Sequence, residues 1–167
     1  MFEDESMIRD YQAVGKTWFP KGQQRIIPTY GKHHGAKLIG VLNYETGEIY
    51  VEEYEKYNAV VFLQFLKNML AKHKGKIAMI LDNARIHHAK LLQDFLNENK
   101  HRLTLVFLPP YSPNLNIIEE LWGWLKSSVI NNDFFETLYK IKLAVHSFIL
   151  WANENKDIVV DRLCLQY

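Results

Sequence analysis

Residues Phe107–Lys126 read FLPPYSPNLNIIEELWGWLK, a strand end, a proline stop and a helix in immediate succession. Leu103–Leu108 (LTLVFL) is a short apolar run of the kind that forms a buried strand. Pro109 and Pro110 end it, because proline has no N–H to give to a strand ladder. A helix follows from Ser112 or Asn116 to Ile130, with Leu115, Ile118, Trp122, Leu125 and Val129 on one apolar stripe. At about 100° per residue, Glu120 points away from that stripe into solvent, whereas Glu119 lies on its flank. Two readings of Glu119 stand side by side. It is either a functional carboxylate at the edge of the core or the last member of a capping box, Asn116-Ile117-Ile118-Glu119, that satisfies the helix N-terminus.

Working outward, Lys76–Leu81 (KIAMIL) reads as a central strand covered on both faces. Asp82 follows it directly, and ligands bind at the carboxyl ends of strands in open α/β sheets. Asp82 is therefore a candidate site residue, the competing reading being a turn or cap of the next helix. Leu91, Leu92, Phe95 and Leu96 mark that helix. Phe62, Phe65, Leu66, Met69 and Leu70 predict an amphipathic helix over Asn58–His73. Lys37–Leu42 (KLIGVL) and Glu48–Glu53 (EIYVEE), joined by the turn-rich Asn43–Gly47, predict a β-hairpin. Met1–Asp4 reads as a short first strand, with Phe2, Asp4 and Ser6 on one face and Glu3 and Glu5 on the other. Asp4 is a second candidate carboxylate, against the alternative that Glu3, Asp4 and Glu5 form a solvated charge run. A last helix, Glu136–Asn153, carries Leu138, Ile141, Val145 and Phe148 on one face. This order predicts an α/β domain, a mixed central sheet flanked by helices.

The 167 residues fit one domain with a substantial core, and 48% hydrophobic against 23% charged residues is a globular balance. Cys164 is the sole cysteine, which excludes an intramolecular disulfide and suits a reducing, cytoplasmic setting. The acidic Met1–Asp10 stretch lacks the apolar region of a secretory signal. No apolar run approaches the roughly 20 residues that span a bilayer. The net charge of +1, from 20 basic and 19 acidic residues, lacks the basic excess of domains that bind chiefly through phosphate contacts. It suits a nuclease-type site, which needs its own carboxylates, with tight DNA binding supplied elsewhere. Three carboxylates on separate elements are what two-metal phosphoryl transfer requires, the ions standing about 4 Å apart.

Phe107–Lys126 resembles the third motif of mariner-type DDE transposases, bacterial insertion-sequence branch, written LPPYSPDLNPIExxWxxLK. Trp122 and Leu125-Lys126 stand at the family positions. Leu81–His87 (LDNARIH) resembles the second motif, LDNAxxH, and Phe2–Ser6 (FEDES) the first, a strand ending in Asp-Glu. Trp18, Gly22 and the Lys37–Val41 strand fall in the expected order. Two positions depart: Asn114 replaces the usual Asp, keeping the turn chemistry, and Ile117 replaces the usual Pro, loosening the helix start.

The resemblance implies a ribonuclease-H-like fold and a single DDE catalytic domain over residues 1–167. It implies that Asp4, Asp82 and Glu119 are the three catalytic carboxylates and metal ligands, the last two separated by 36 residues against a family spacing in the mid-thirties. Two Mg²⁺ ions, with Mn²⁺ as substitute, would support nicking at transposon ends and attack of the freed 3′-hydroxyl on target DNA. A homodimer in the active complex, nucleoid association during action and no membrane contact are further expectations. The family's N-terminal helix-turn-helix DNA-binding region is expected to be absent from this chain. The alternative function is an inactive or accessory remnant that binds DNA or partner subunits without chemistry. A nuclease for RNA–DNA hybrids shares the metal chemistry but not the third motif.

His87 is expected near the site, as a base or phosphate contact or as a satisfied histidine at a helix start. Tyr11–His34 interleaves Lys16, Lys21, Arg25, Lys32, His33 and His34 with Trp18, Phe19 and Tyr30. Lys16, Lys21 and Arg25, together with Lys126, are candidate DNA contacts; a solvated loop over buried aromatics is the competing reading of that segment. Trp122 is expected in the core and Trp124, on the other side of its helix, at the surface for a partner or DNA. The histidine pairs His33-His34 and His87-His88 lack zinc-ligand spacing, so no zinc site is expected.

Overall fold

The computed structural model describes residues 1–9, 20–23, 35–110, 112–131, 133 and 135–163. Its frame is a five-stranded mixed sheet in the order β3-β2-β1-β4-β5. β1 (Phe2–Arg9), β2 (Gly35–Leu42) and β3 (Ile49–Tyr54) are antiparallel neighbours. β4 (Ile77–Leu81) runs parallel to β1, and β5 (Leu103–Phe107) parallel to β4. The expected Met1–Asp4 strand is twice as useful as its length suggested: it continues to Arg9 because Glu5 to Arg9 pair with Ile39 to Gly35 of β2. β1 thus becomes the central strand, with Asp4 opposite Gly40 on one side and Phe2 opposite Ile80 on the other.

Helices cover the two faces unequally. α1 (Ala59–Lys72) starts where the Asn58 side chain accepts the Val61 N–H at 2.9 Å, and it buries Phe62, Phe65, Leu66, Met69 and Leu70 against the sheet. This side of the core also takes Ile39, Val41, Met79, Leu81 and Leu103. α2 (Gln93–Asn99) is shorter than the leucine spacing suggested, because two 3₁₀ turns, Arg85–His88 and Lys90–Leu92, precede it. α3 (Ile118–Leu125) runs into a single π turn, Lys126–Ile130, and α4 (Leu138–Glu154) is capped by the Thr137 side chain. α5 (Lys156–Leu163) was not foreseen; only Val159 and Leu163 anchor it, too sparse a pattern to mark a helix. Gly47 holds it close: its φ of +69° is left-handed, and a Cβ there would stand 2.6 Å from the Lys156 carbonyl oxygen.

α3, α4 and α5 pack over β1 to β3, burying Ile8, Leu38, Leu42, Trp122, Ile141, Phe148 and Val159. They do not reach the same face of β4 and β5. This corrects the expectation that both are fully buried: Ala78 and Val106 are exposed and Ile80 is half-buried. The covered and open halves meet at the β1–β4 seam, and a cleft forms there. Leu115 also leaves its expected stripe, since it lies in a 3₁₀ turn (Pro113–Leu115) and is exposed. Ile117 is buried instead, so the residue at the family's proline position adds apolar contact where it loses backbone rigidity.

Candidate active site

Asp4, Asp82 and Glu119 line one cleft of about 410 Å³, walled by Leu108, Pro109, Pro110 and Asn116. They arrive from three elements. Asp4 projects from the middle of β1, Asp82 follows the carboxyl end of β4, and Glu119 occupies the first turn of α3. Pro109 and Pro110 stop β5 beside them, so the parallel strands end together at the cleft.

Each carboxylate is held by a different device. Trp122, fully buried in α3, donates its Nε1–H to Asp4 Oδ2 at 3.1 Å. Asp4 is pushed up to about 7 by burial first, then by the charges of Glu119, Glu5 and Asp82, against a backbone hydrogen bond from Glu5. Asp82 Oδ1 accepts the Ala84 N–H at 2.8 Å and lies 3.2 Å from His87 Nδ1. Both contacts fall on one oxygen, Oδ1, so Asp82 opens the turn while also lining the cleft. Glu119 is exposed. The capping-box alternative for it fails: Asn116 is buried and its Nδ2–H donates to the Glu3 carbonyl at 2.8 Å, and no side chain caps α3. Asn116 ties the start of α3 to β1, which sets Glu119 beside Asp4.

Gly40 leaves the room this arrangement needs. It pairs with Asp4 across β1–β2, and a Cβ on it would stand 2.8 Å from Trp122 Cη2. Gly40→Ala is expected to destabilise the fold by about 1–3 kcal/mol through overpacking and to displace the indole from Asp4. A thermal melt and tryptophan fluorescence check this; an unchanged melt and spectrum would contradict it. Asn116→Ala is expected to cost about 1–3 kcal/mol by orphaning the buried Glu3 carbonyl, measured by urea unfolding.

The sequence pattern of the DDE superfamily endonucleases matches residues 1–142. The chain belongs to that family. It is 28% identical over 150 residues to the insertion element IS630 uncharacterized 39 kDa protein of Shigella sonnei, covering 89% of this chain and 43% of that one. The Mos1 transposase paired-end complex with left transposon end superposes with a TM-score of 0.68 at 17% identity, over 98% of this chain and 55% of that one. The catalytic domain of Mos1 mariner transposase gives 0.60 at 16% identity, over 97% of this chain and 77% of that one. The chain therefore spans about half the length of the insertion-element protein and of the transposase in the paired-end complex. The fold is ribonuclease-H-like, and the likeness to mariner-type DDE transposases read from the sequence holds.

Within this DDE domain His87 and Trp124 both lie inside, which fits the helix-start reading of His87 and corrects the surface reading of Trp124. His87 is buried beneath the cleft, against Phe62, with its side chain 0% exposed, so it does not reach a phosphate in this conformation. Trp124 is also buried, edge-on to Phe148 and Trp151 with the Arg162 guanidinium 4.6 Å above its ring. α3 turns it into the apolar face of α4, which was expected as a helix, and into α5, which was not. Lys21 is exposed and Lys126 half-buried, whereas Lys16 and Arg25 lie outside the described residues. Sequence reading missed Glu3, a fully buried carboxylate on the β1 face opposite Asp4. Strand alternation had separated it from Asp4, but only the central place of β1 shows that its face is enclosed. Among the described residues, no helix is long and apolar enough to cross a membrane.

Proposed function

We propose that this chain carries the strand-cleaving and strand-joining chemistry of a DNA transposase, with Asp4, Asp82 and Glu119 as its catalytic carboxylates. The observation that carries the proposal is their convergence on one cleft from three separate elements. The donor set fits divalent cations. Burial and the charges of Glu119, Glu5 and Asp82 raise Asp4 to about 7, a repulsion that a bound cation removes. The cleft's carboxylate oxygens suit hard Mg²⁺, with Mn²⁺ able to substitute. Asp4, Asp82 and Glu119 would hold two such ions, which when bound stabilise the attacking and leaving oxygens of an in-line phosphoryl transfer.

The residues themselves supply position. Trp122 fixes Asp4, the Ala84 N–H and His87 fix Asp82, and Asn116 fixes the α3 start that presents Glu119. The substrates are transposon ends and target DNA, and the active complex is a homodimer that brings two ends together. A net charge of +1 gives the domain little sequence-independent attraction to DNA, so its own phosphate contacts are few. Lys126 and the basic residues Lys16, Lys21 and Arg25 remain its candidate phosphate contacts. Plasmid nicking in Mn²⁺ tests the proposal: substitution of any of the three carboxylates is expected to remove it. Wild-type chain that nicks nothing would favour the remnant that keeps the fold without chemistry.

A further inference from the structure

Beneath the cleft, on the opposite face of β1 from Asp4, Glu3, Glu5 and His87 place three ligand atoms within 4.8 Å of one another. His87 Nε2 stands 3.4 Å from Glu5 Oε1 and 3.7 Å from Glu3 Oε2. None of these atoms makes a hydrogen bond among the described residues, and neither does Glu3 Oε1. The side chains of Glu3 and His87 are 0% exposed. The Phe62 ring lies 4.4 Å from the imidazole. Enclosed in this way, the carboxylates either take up a proton, the direction in which burial pushes Glu3, or hold a positive partner, because an unpaired buried charge is strongly unfavourable.

The second nitrogen of His87 defines what that partner must be. Nδ1 lies 3.2 Å from both the Asp82 carbonyl oxygen and Asp82 Oδ1, two acceptors, so Nδ1 carries the proton. When His87 is neutral, the Nε2 lone pair lies on the side of the two carboxylates, and three lone-pair donors stand within 4.8 Å of one another. Histidines that ligate metals ordinarily donate their other N–H to a carboxylate or a backbone carbonyl, as here. Tetrahedral bonds of about 2.0–2.1 Å put ligand atoms about 3.3–3.4 Å apart; the His87 Nε2–Glu5 Oε1 pair has that separation at 3.4 Å, and the His87 Nε2–Glu3 Oε2 pair, at 3.7 Å, is a little wider.

We propose that Glu3, Glu5 and His87 form a binding site for a transition-metal ion of the zinc class, separate from the Asp4–Asp82–Glu119 cleft. The ion ties β1 to the turn after β4 and so steadies Asp82 through His87. One imidazole with two carboxylates suits Zn²⁺, whereas Mg²⁺ prefers oxygen ligands alone. This reverses the expectation of no zinc site, because ligands at positions 3, 5 and 87 share no local spacing. The competing occupant is a second proton on His87: burial opposes the imidazolium, but Glu5 and Asp82 outweigh it and raise the pKa.

The test uses the full chain and its Asp4→Asn/Glu119→Gln variant, which keeps only Asp82 of the three cleft carboxylates, each stripped with chelator and dialysed against Zn²⁺. The double variant is expected to retain one Zn²⁺ per chain, with zinc-edge X-ray absorption showing one imidazole nitrogen beside oxygen ligands. Adding Glu3→Gln or His87→Gln is expected to weaken that binding by at least about 10-fold. A double variant that keeps no Zn²⁺ overturns the proposal and leaves the cluster neutralised by protons alone. A shell of oxygen alone also overturns it. Neither result touches the triad, which is tested separately by Mg²⁺- or Mn²⁺-dependent nicking.

Discussion

Asp82→Asn is expected to abolish nicking of supercoiled DNA in Mg²⁺ or Mn²⁺ while leaving the fold intact. The substitution is nearly isosteric, and an asparagine Oδ1 still accepts the Ala84 N–H that Asp82 accepts at 2.8 Å. The turn after β4 therefore survives, and unfolding of the metal-free chain is expected to shift by no more than about 0.5 kcal/mol, as for an exposed side chain. What is lost is a negative charge aimed at the cleft. Metal-ion stabilisation of the transferring phosphoryl group is worth several kcal/mol, and each 1.36 kcal/mol is tenfold in rate. The loss is thus at least about 10²–10³-fold. Glu120→Gln is the internal control, since Glu120 is exposed, is absent from the lining of this cleft and neighbours Glu119 in sequence. It is expected to nick at the wild-type rate. Equal nicking by wild type and Asp82→Asn would sink the triad.

The contrast between Asp82 and Glu3 shows what the sequence makes legible. Asp82 follows a five-residue apolar strand, and the place of a strand's end in a parallel sheet is a general rule, so its location was readable. Glu119 was readable in part: helix geometry set it on the flank of the apolar stripe, yet the same spacing fitted a capping box. Only the Asn116 side chain, turned to Glu3 in β1, separates the two, and that contact spans 113 residues. Glu3 was not readable as a buried group because three consecutive acids look like a solvated run. Its enclosure comes from β2, β4 and α1, none of them local. Trp124 failed for the same reason, since its cover is Phe148 and Trp151 of α4 together with α5, elements distant in sequence from α3. Periodicity reports which side of an element is apolar; it does not report what arrives to cover the other side.

Asp4→Asn is expected to stabilise the metal-free chain at neutral and higher pH, and to flatten part of its pH dependence. The carboxyl group is raised from its ordinary 3.8 to about 7 by burial and by Glu119, Glu5 and Asp82. Below about pH 4 it is protonated in both folded and unfolded chains and contributes nothing to the difference. Between about 4 and 7 the unfolded chain releases the proton while the folded chain keeps it, so stability falls as pH rises. Above about 7 the loss is complete, and at 1.36 kcal/mol per unit it amounts to at most about 4 kcal/mol. Glu3, raised in the same direction by burial, adds a loss of the same sign that persists in Asp4→Asn. Cation binding reverses the Asp4 part. A divalent ion that ligates the ionised carboxylate competes with its proton below pH 7, so Mg²⁺ affinity is expected to climb with pH and level off above 7. Melts of both chains at pH 5, 6, 7 and 8, with and without Mg²⁺, measure these effects together. Wild type should lose stability across that range and regain it with Mg²⁺, whereas Asp4→Asn should change less with pH and gain little from Mg²⁺. Parallel melts for the two chains at every pH would show that Asp4 titrates normally and that the cleft does not hold its cation through this residue.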